Sequence, residues 1–95
     1  MYGINEKVYK DLINYFRNNI YIESVILFGS RAKGTESINS DIDLCINYIG
    51  KSKGTIIEEI NDIIGIYSCD ILFLNCLNDN IKKQIDRDGI EIYSK

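Results

Sequence analysis

Three aspartates and one glycine-serine turn carry the chemistry that can be read in this chain. Asp41 and Asp43 stand two residues apart in Ser40-Asp41-Ile42-Asp43-Leu44, and Asp70 precedes a later apolar run, Ile71-Leu72-Phe73-Leu74. On a strand, residues two apart leave the same face with Cα atoms about 6.6 Å apart. Two carboxylates set that way can bridge cations separated by about 3.5–4 Å, and aspartate is the short hard-oxygen ligand that Mg2+ prefers. A solvated edge strand with acidic outward positions would show the same alternation. Aspartate is, however, a poor strand former, and two adjacent acids with no basic residue between them repel. A bound cation resolves both problems. If the Asp70 strand pairs beside the Asp41 strand, three carboxylates share one open face. That is a site for two divalent ions and a hydroxyl to be deprotonated.

The second half of the constellation lies six residues upstream of Ser40. Val25-Ile26-Leu27-Phe28 runs into Gly29-Ser30-Arg31-Ala32-Lys33-Gly34. A strand that turns through glycine and serine into a helix start presents backbone N–H groups, which attract phosphate. Gly29 lets phosphate oxygens approach the backbone, and the Ser30 hydroxyl can add a hydrogen bond. Alone, this half also reads as an ordinary strand-to-helix turn. Residues 29–35, GSRAKGT, come close to a Walker A loop, but Thr35 stands where its lysine should be. A P-loop is therefore rejected. An EF-hand is excluded because Cys45 and Ile46 occupy places where a calcium loop needs a ligand and then glycine. For Arg31, a phosphate contact and an exposed helix charge are both open.

Composition narrows the remaining classes. The chain has no histidine, so it holds no Ser-His-Asp triad, Cys-His pair or histidine-ligated zinc. The formal net charge of −3 argues against gripping a nucleic-acid duplex, which needs a basic face. Cys45, Cys69 and Cys76 are odd in number and fit no zinc spacing, so they read as reduced thiols in a cytoplasmic protein. No apolar run approaches the roughly 20 residues that span a bilayer, and the N-terminus lacks a signal-peptide core. With 95 residues, one domain is expected over residues 1–95.

The elements that must position these residues follow from periodicity. Asn5 reads as an N-cap for a helix carrying Val8, Leu12 and Phe16 that ends near Asn18-Asn19. Val25 to Phe28 is a buried strand, and residues 30–33 are a short helical segment. Asp41 to Tyr48 alternates as a strand, with Asp41, Asp43 and Cys45 on one face and Ile42, Leu44 and Ile46 on the other. Thr55-Ile56-Ile57-Glu58 fits a capping box ahead of Ile60, Ile63 and Ile64 at helical spacing. A third strand is expected over roughly Cys69 to Leu74. Asn78-Asp79 caps a last helix with Ile81 and Ile85, Gly89 ends it, and Ile90 to Tyr93 close the chain as a strand. The order implies an α/β domain: a small mixed β-sheet with helices packed mainly on one face, the acid-bearing face more open.

Taken together, the apolar strand, Gly29-Ser30, Gly34, Ser40-Asp41-x-Asp43 and Asp70 resemble the DNA polymerase β-type nucleotidyltransferase superfamily. More narrowly, they are similar to its minimal nucleotidyltransferases (MNT proteins), and the resemblance runs through the final helix-glycine-strand. It implies the polymerase β-like nucleotidyltransferase fold, with Gly29 and Ser30 holding the triphosphate of ATP. Asp41 and Asp43 would bind two Mg2+ ions, and Asp70 would ligate the catalytic ion and help activate an acceptor hydroxyl. Larger members carry helical domains for their acceptors, and this chain shows none, so a partner or a second copy is expected to supply that surface. Minimal members are often paired with a helical HEPN protein, including toxin–antitoxin pairs in which AMP is attached to a toxin tyrosine. The leading expectation is therefore an antitoxin acting by protein adenylylation. Two alternatives stand beside it: an antitoxin that masks its partner by contact, with Leu72, Leu74 and Cys45 as apolar surface, and transfer to a small molecule such as an antibiotic. Base preference and oligomeric state are not legible.

Overall fold

A computed structural model describes all 95 residues, Met1 to Lys95. Four strands and four helices alternate along the chain: α1 (Glu6–Asn18), β1 (Ile22–Phe28), α2 (Ser30–Lys33), β2 (Ile42–Tyr48), α3 (Lys53–Ile64), β3 (Cys69–Phe73), α4 (Asp79–Asp88) and β4 (Ile90–Ser94). A short 3-10 turn over Leu74–Cys76 follows β3. The sheet order is β3-β2-β1-β4. β1 runs antiparallel to both β2 and β4, while β2 and β3 are parallel. α3 supplies the crossover that a parallel pair requires.

The helix starts show which local signals govern. Asn5 caps α1 as expected, its side chain accepting from the amides of Lys7 and Val8. Asn78 caps α4 by accepting from Ile81. The Thr55–Glu58 capping box does not form. α3 begins two residues earlier, at Lys53, with Ser52 at the cap position making no side-chain cap bond. The Tyr48 hydroxyl accepts from the Ser52 amide at 3.1 Å, so this tertiary contact fixes the entry to the helix instead.

Two apolar layers sandwich the sheet. Leu12 and Phe16 of α1 and Ile56, Ile60 and Ile64 of α3 pack against Val25, Leu27, Ile42, Leu44 and Ile46. A register shift between Ile22 and Ser24 lets Ile22 join the same core, because an extra residue on one strand resets its alternation. The opposite face carries Phe28, Cys45, Ile26 and Leu72, and α4 covers them with Ile81 and Ile85. The two long helices thus share one face, as the periodicity implied, while α4 crosses to the acid-bearing side. The reason is alternation itself. The positions that share a face with Asp43 include apolar side chains that need cover. Cys45 and Leu72 pack against the α4 cluster, Cys45 fully buried and Leu72 half-buried. No helix is long and apolar enough to cross a membrane.

Candidate active site

The acid-bearing end of the sheet is built by strand register. β2 and β3 pair in parallel with Asp43 opposite Asp70, so both carboxylates leave the same face at the same level. The Ile42 amide donates to the Ser68 carbonyl at 2.8 Å, which stitches the entries of the two strands together. Asp41 does not sit within the strand as expected. It stands one residue ahead of β2, exposed, because the ladder begins where Ile42 meets Cys69. There it is free of the backbone pairing that aspartate tolerates poorly, yet its charge still acts on Asp43.

β1 brings the turn to the acids. Phe28 is the cross-strand partner of Asp43, so the next residue, Gly29, lies directly against that carboxylate. Gly29 has φ 76° and ψ −157°, a region essentially confined to glycine. A Cβ there would run into the Asp43 Oδ2 atom. Glycine is needed twice at this position, for the backbone angle and for the space. Ser30, half-buried, opens α2, a single turn of four residues closed by Gly34 in the left-handed conformation. One helical turn has little macrodipole, so any anion held here would be gripped by the leading amides and the Ser30 hydroxyl.

The electrostatics show that these groups share one field. Burial, then the neighbouring charges of Asp70 and Asp41, push the Asp43 carboxyl up to about 6, and Arg31 pulls the other way. The Cys69 thiol, beside the pair, is pushed up to about 12 by burial and then by Asp43, Asp70 and Asp41. The ligand set is hard oxygen throughout, and its negative charge is not fully compensated. Both properties suit a divalent ion such as Mg2+.

Sequence reasoning missed the part played by Arg31. It is neither exposed nor turned toward the phosphate turn. Only 2% of its surface is accessible, and its guanidinium donates to the Tyr2 carbonyl at 3.0 Å and the Ser40 carbonyl at 2.8 Å. These partners lie 29 and 9 residues away in the chain, so no local pattern could have shown it. The surface clefts lie elsewhere. Cavities of about 320 and 280 Å3, both lined in part by Tyr21, sit at the far end of the sheet. They hold no cluster of acids, and the chemistry stays with the open acid-bearing end.

Comparison with known proteins agrees with this geometry. Residues 10–95 match the family described as polymerase beta, nucleotidyltransferase. No curated protein sequence matches the chain. Among solved structures, a chain of a toxin–antitoxin assembly crystallised with AMP-PNP superposes with a TM-score of 0.72 at 20% identity, over 97% of this chain and 75% of that one. A chain from the MntA–HepT toxin–antitoxin gives 0.66 at 18% identity, over 96% and 74%. A chain from a tri-AMPylated HEPN toxin of Shewanella oneidensis in complex with its MNT antitoxin gives 0.67 at 15% identity, over 93% and 71%. At such identities the superpositions speak to the fold. The family match takes in the glycine-serine turn, the Asp41/Asp43 pair and Asp70 alike, and on it the chain belongs to the polymerase β nucleotidyltransferase family.

Proposed function

We propose that this protein is a Mg2+-dependent nucleotidyltransferase that moves AMP from ATP to a tyrosine hydroxyl of a helical HEPN-type partner, and so acts as an antitoxin. The observation that carries the reading is the register of Asp43 opposite Asp70, with Gly29 pressed against Asp43. The fold neighbours add support for the acceptor, since one contains an AMPylated HEPN toxin and another was crystallised with AMP-PNP.

Each residue has a task that its position suits. Gly29 lets the turn lie directly against Asp43, so a triphosphate held by the leading amides would sit beside the acids, and the Ser30 hydroxyl donates to one of its oxygens. Asp41 and Asp43 would hold the metal ions, with half-buried Asp43 the deeper ligand. When bound, the two ions neutralise the triphosphate and assist both the attacking and the leaving oxygens. Asp70, exposed on the outermost strand, completes the ligand set and takes the proton of the acceptor hydroxyl. The acceptor oxygen bonds to the α-phosphorus, the bond to the β-phosphate bridge breaks, and pyrophosphate departs in line.

The same structure weakens the alternative of masking by contact alone. Of the three residues expected to supply apolar surface, Cys45 is buried, Leu72 is half-buried against the α4 cluster, and only Leu74 is exposed. The deciding experiment incubates the chain with α-labelled ATP, Mg2+ and the HEPN-type protein encoded beside it. Label should appear on a tyrosine of that protein and vanish with Asp41→Asn. Absence of label with the wild-type chain refutes adenylylation. Label on a small molecule without added protein would assign a different acceptor.

A further inference from the structure

We infer that Arg31 is a positioning residue that sets the Asp41 carboxylate against the Gly29-Ser30 turn. The inference rests on the nucleotidyltransferase reading above and assigns to that site a residue that touches neither nucleotide nor metal.

A buried guanidinium is costly unless its surroundings repay the lost hydration. Arg31 is 2% exposed, its Nε has no partner, and no carboxylate lies within ion-pair distance of it. What the guanidinium does is join segments. It starts from α2, two residues after Gly29. Through Nη2 it holds the carbonyl of Ser40, the residue before Asp41, at 2.8 Å. Its Cζ lies over the ring of Tyr67, 5.3 Å from the centroid and three residues ahead of Asp70 in the chain. Through Nη1 it donates to the Tyr2 carbonyl at 3.0 Å, which ties the N-terminal segment to α2.

All three stretches that carry site residues therefore meet at one planar, five-donor group. The link to Ser40 matters most. Asp41 lies outside the β-ladder, so strand pairing does not fix its direction. The next peptide upstream is held by Arg31. The Ser40 amide and hydroxyl bond back to Ser37 and the Ile42 amide to Ser68. The bond to the Ser40 carbonyl is thus the one that ties this segment to α2, and an outer hydrogen bond of that kind bears on metal affinity.

Arg31→Lys is the test, because it keeps the charge and the stem but cannot reach two carbonyls or stack as a plane. Mn2+ alone, read by electron paramagnetic resonance, should bind about 10-fold more weakly. ATP without metal, held by the turn, should bind within threefold of wild type. The Asp41 amide resonance should move, since its peptide has lost its donor. A folded Arg31→Lys protein with wild-type Mn2+ affinity and an unmoved Asp41 resonance overturns the inference. So does an equal loss of Mn2+ and ATP binding, which marks a general loosening of the fold. If Arg31→Lys does not fold, Tyr67→Leu removes the ring beneath the guanidinium. Tyr67→Phe, which loses only the hydroxyl that accepts from the Asn5 amide at 2.9 Å, is its control and should keep wild-type Mn2+ affinity. An Mn2+ affinity lowered about threefold in Tyr67→Leu supports the inference, and wild-type affinity there overturns it. A wild-type chain that binds neither Mn2+ nor ATP refutes the nucleotidyltransferase reading instead, while the Asp41 resonance still reports on Arg31.

Discussion

Replacing Gly29 by alanine probes the contact between the turn and the acids directly. The backbone at φ 76°, ψ −157° costs a side-chain-bearing residue about 1–3 kcal/mol. The added methyl would overlap Asp43 Oδ2 and lie 3.0 Å from its Cγ and 3.4 Å from its Cβ. That carboxylate cannot swing freely, because Asp70 faces it across the ladder and repels it. Overpacking of this kind adds about 1–3 kcal/mol, so Gly29→Ala should lose about 2–6 kcal/mol in all. Gly34→Ala is the matched control. Its φ of 77° and ψ of 17° are left-handed too, but an added Cβ meets nothing within 4 Å, and the cost is about 1–2 kcal/mol. Urea denaturation of metal-free protein measures both. At about 4–8 °C per kcal/mol for a domain of this size, the difference also shows in thermal melts. A double-mutant cycle isolates the contact. With Asp43→Ala in the background, Gly29→Ala should recover about 0.5–3 kcal/mol. If Gly29→Ala is no less stable than Gly34→Ala, or its effect is additive with Asp43→Ala, the turn does not press on the carboxylate and the reasoning fails.

Two further outcomes follow from the local field. The Asp43 carboxyl titrates near 6 in the folded protein against about 4 when unfolded, so the native state binds its proton more tightly. The stability this gives is fully present below about pH 4 and is lost as pH rises through about 6. Urea midpoints of metal-free wild type should therefore gain on acidification from pH 7 to 5 relative to Asp43→Asn, and identical pH profiles for the two proteins would refute the shift. Mg2+ should reduce the gain, since it favours the ionised carboxylate. The Cys69 thiol, pushed up to about 12, should resist iodoacetamide at pH 8.5 while exposed Cys76 is labelled first. Equal labelling by mass spectrometry would show that burial and the neighbouring acids do not hold the Cys69 thiol protonated.

The parts of the fold legible in the sequence were those fixed by nearest neighbours. Leu12 and Phe16 announce the buried stripe of α1, Asn5 and Asn78 announce their caps, and Gly89 marks the passage from α4 to β4. Ile42, Leu44 and Ile46 identify the core face of β2. Asp43 and Asp70 were legible as neighbours if their strands paired, and the register brings them together, whereas Asp41 stands ahead of the strand in which alternation had placed it. What stayed hidden depends on residues far apart in the chain. The entry to α3 is fixed by Tyr48 and not by Thr55. Cys45 shares the alternation of Asp43, but α4 covers one and leaves the other accessible, and only the packed sheet decides where that cover ends. Arg31 is placed by Tyr2, Ser40 and Tyr67 together.

β3 lies at the margin of the sheet, five residues long and bonded on one side only. Asp43 is anchored between two neighbours, but Asp70 depends on that single row of backbone bonds. A slip of one position along the row would turn Asp70 toward α3 and bring Cys69 into its place. Peeling β3 away would scatter the ligand set while α1, β1 and β4 stayed joined. The domain can thus lose its chemistry well before it loses its shape, and whatever steadies this outer strand sets the temperature at which the site stops working.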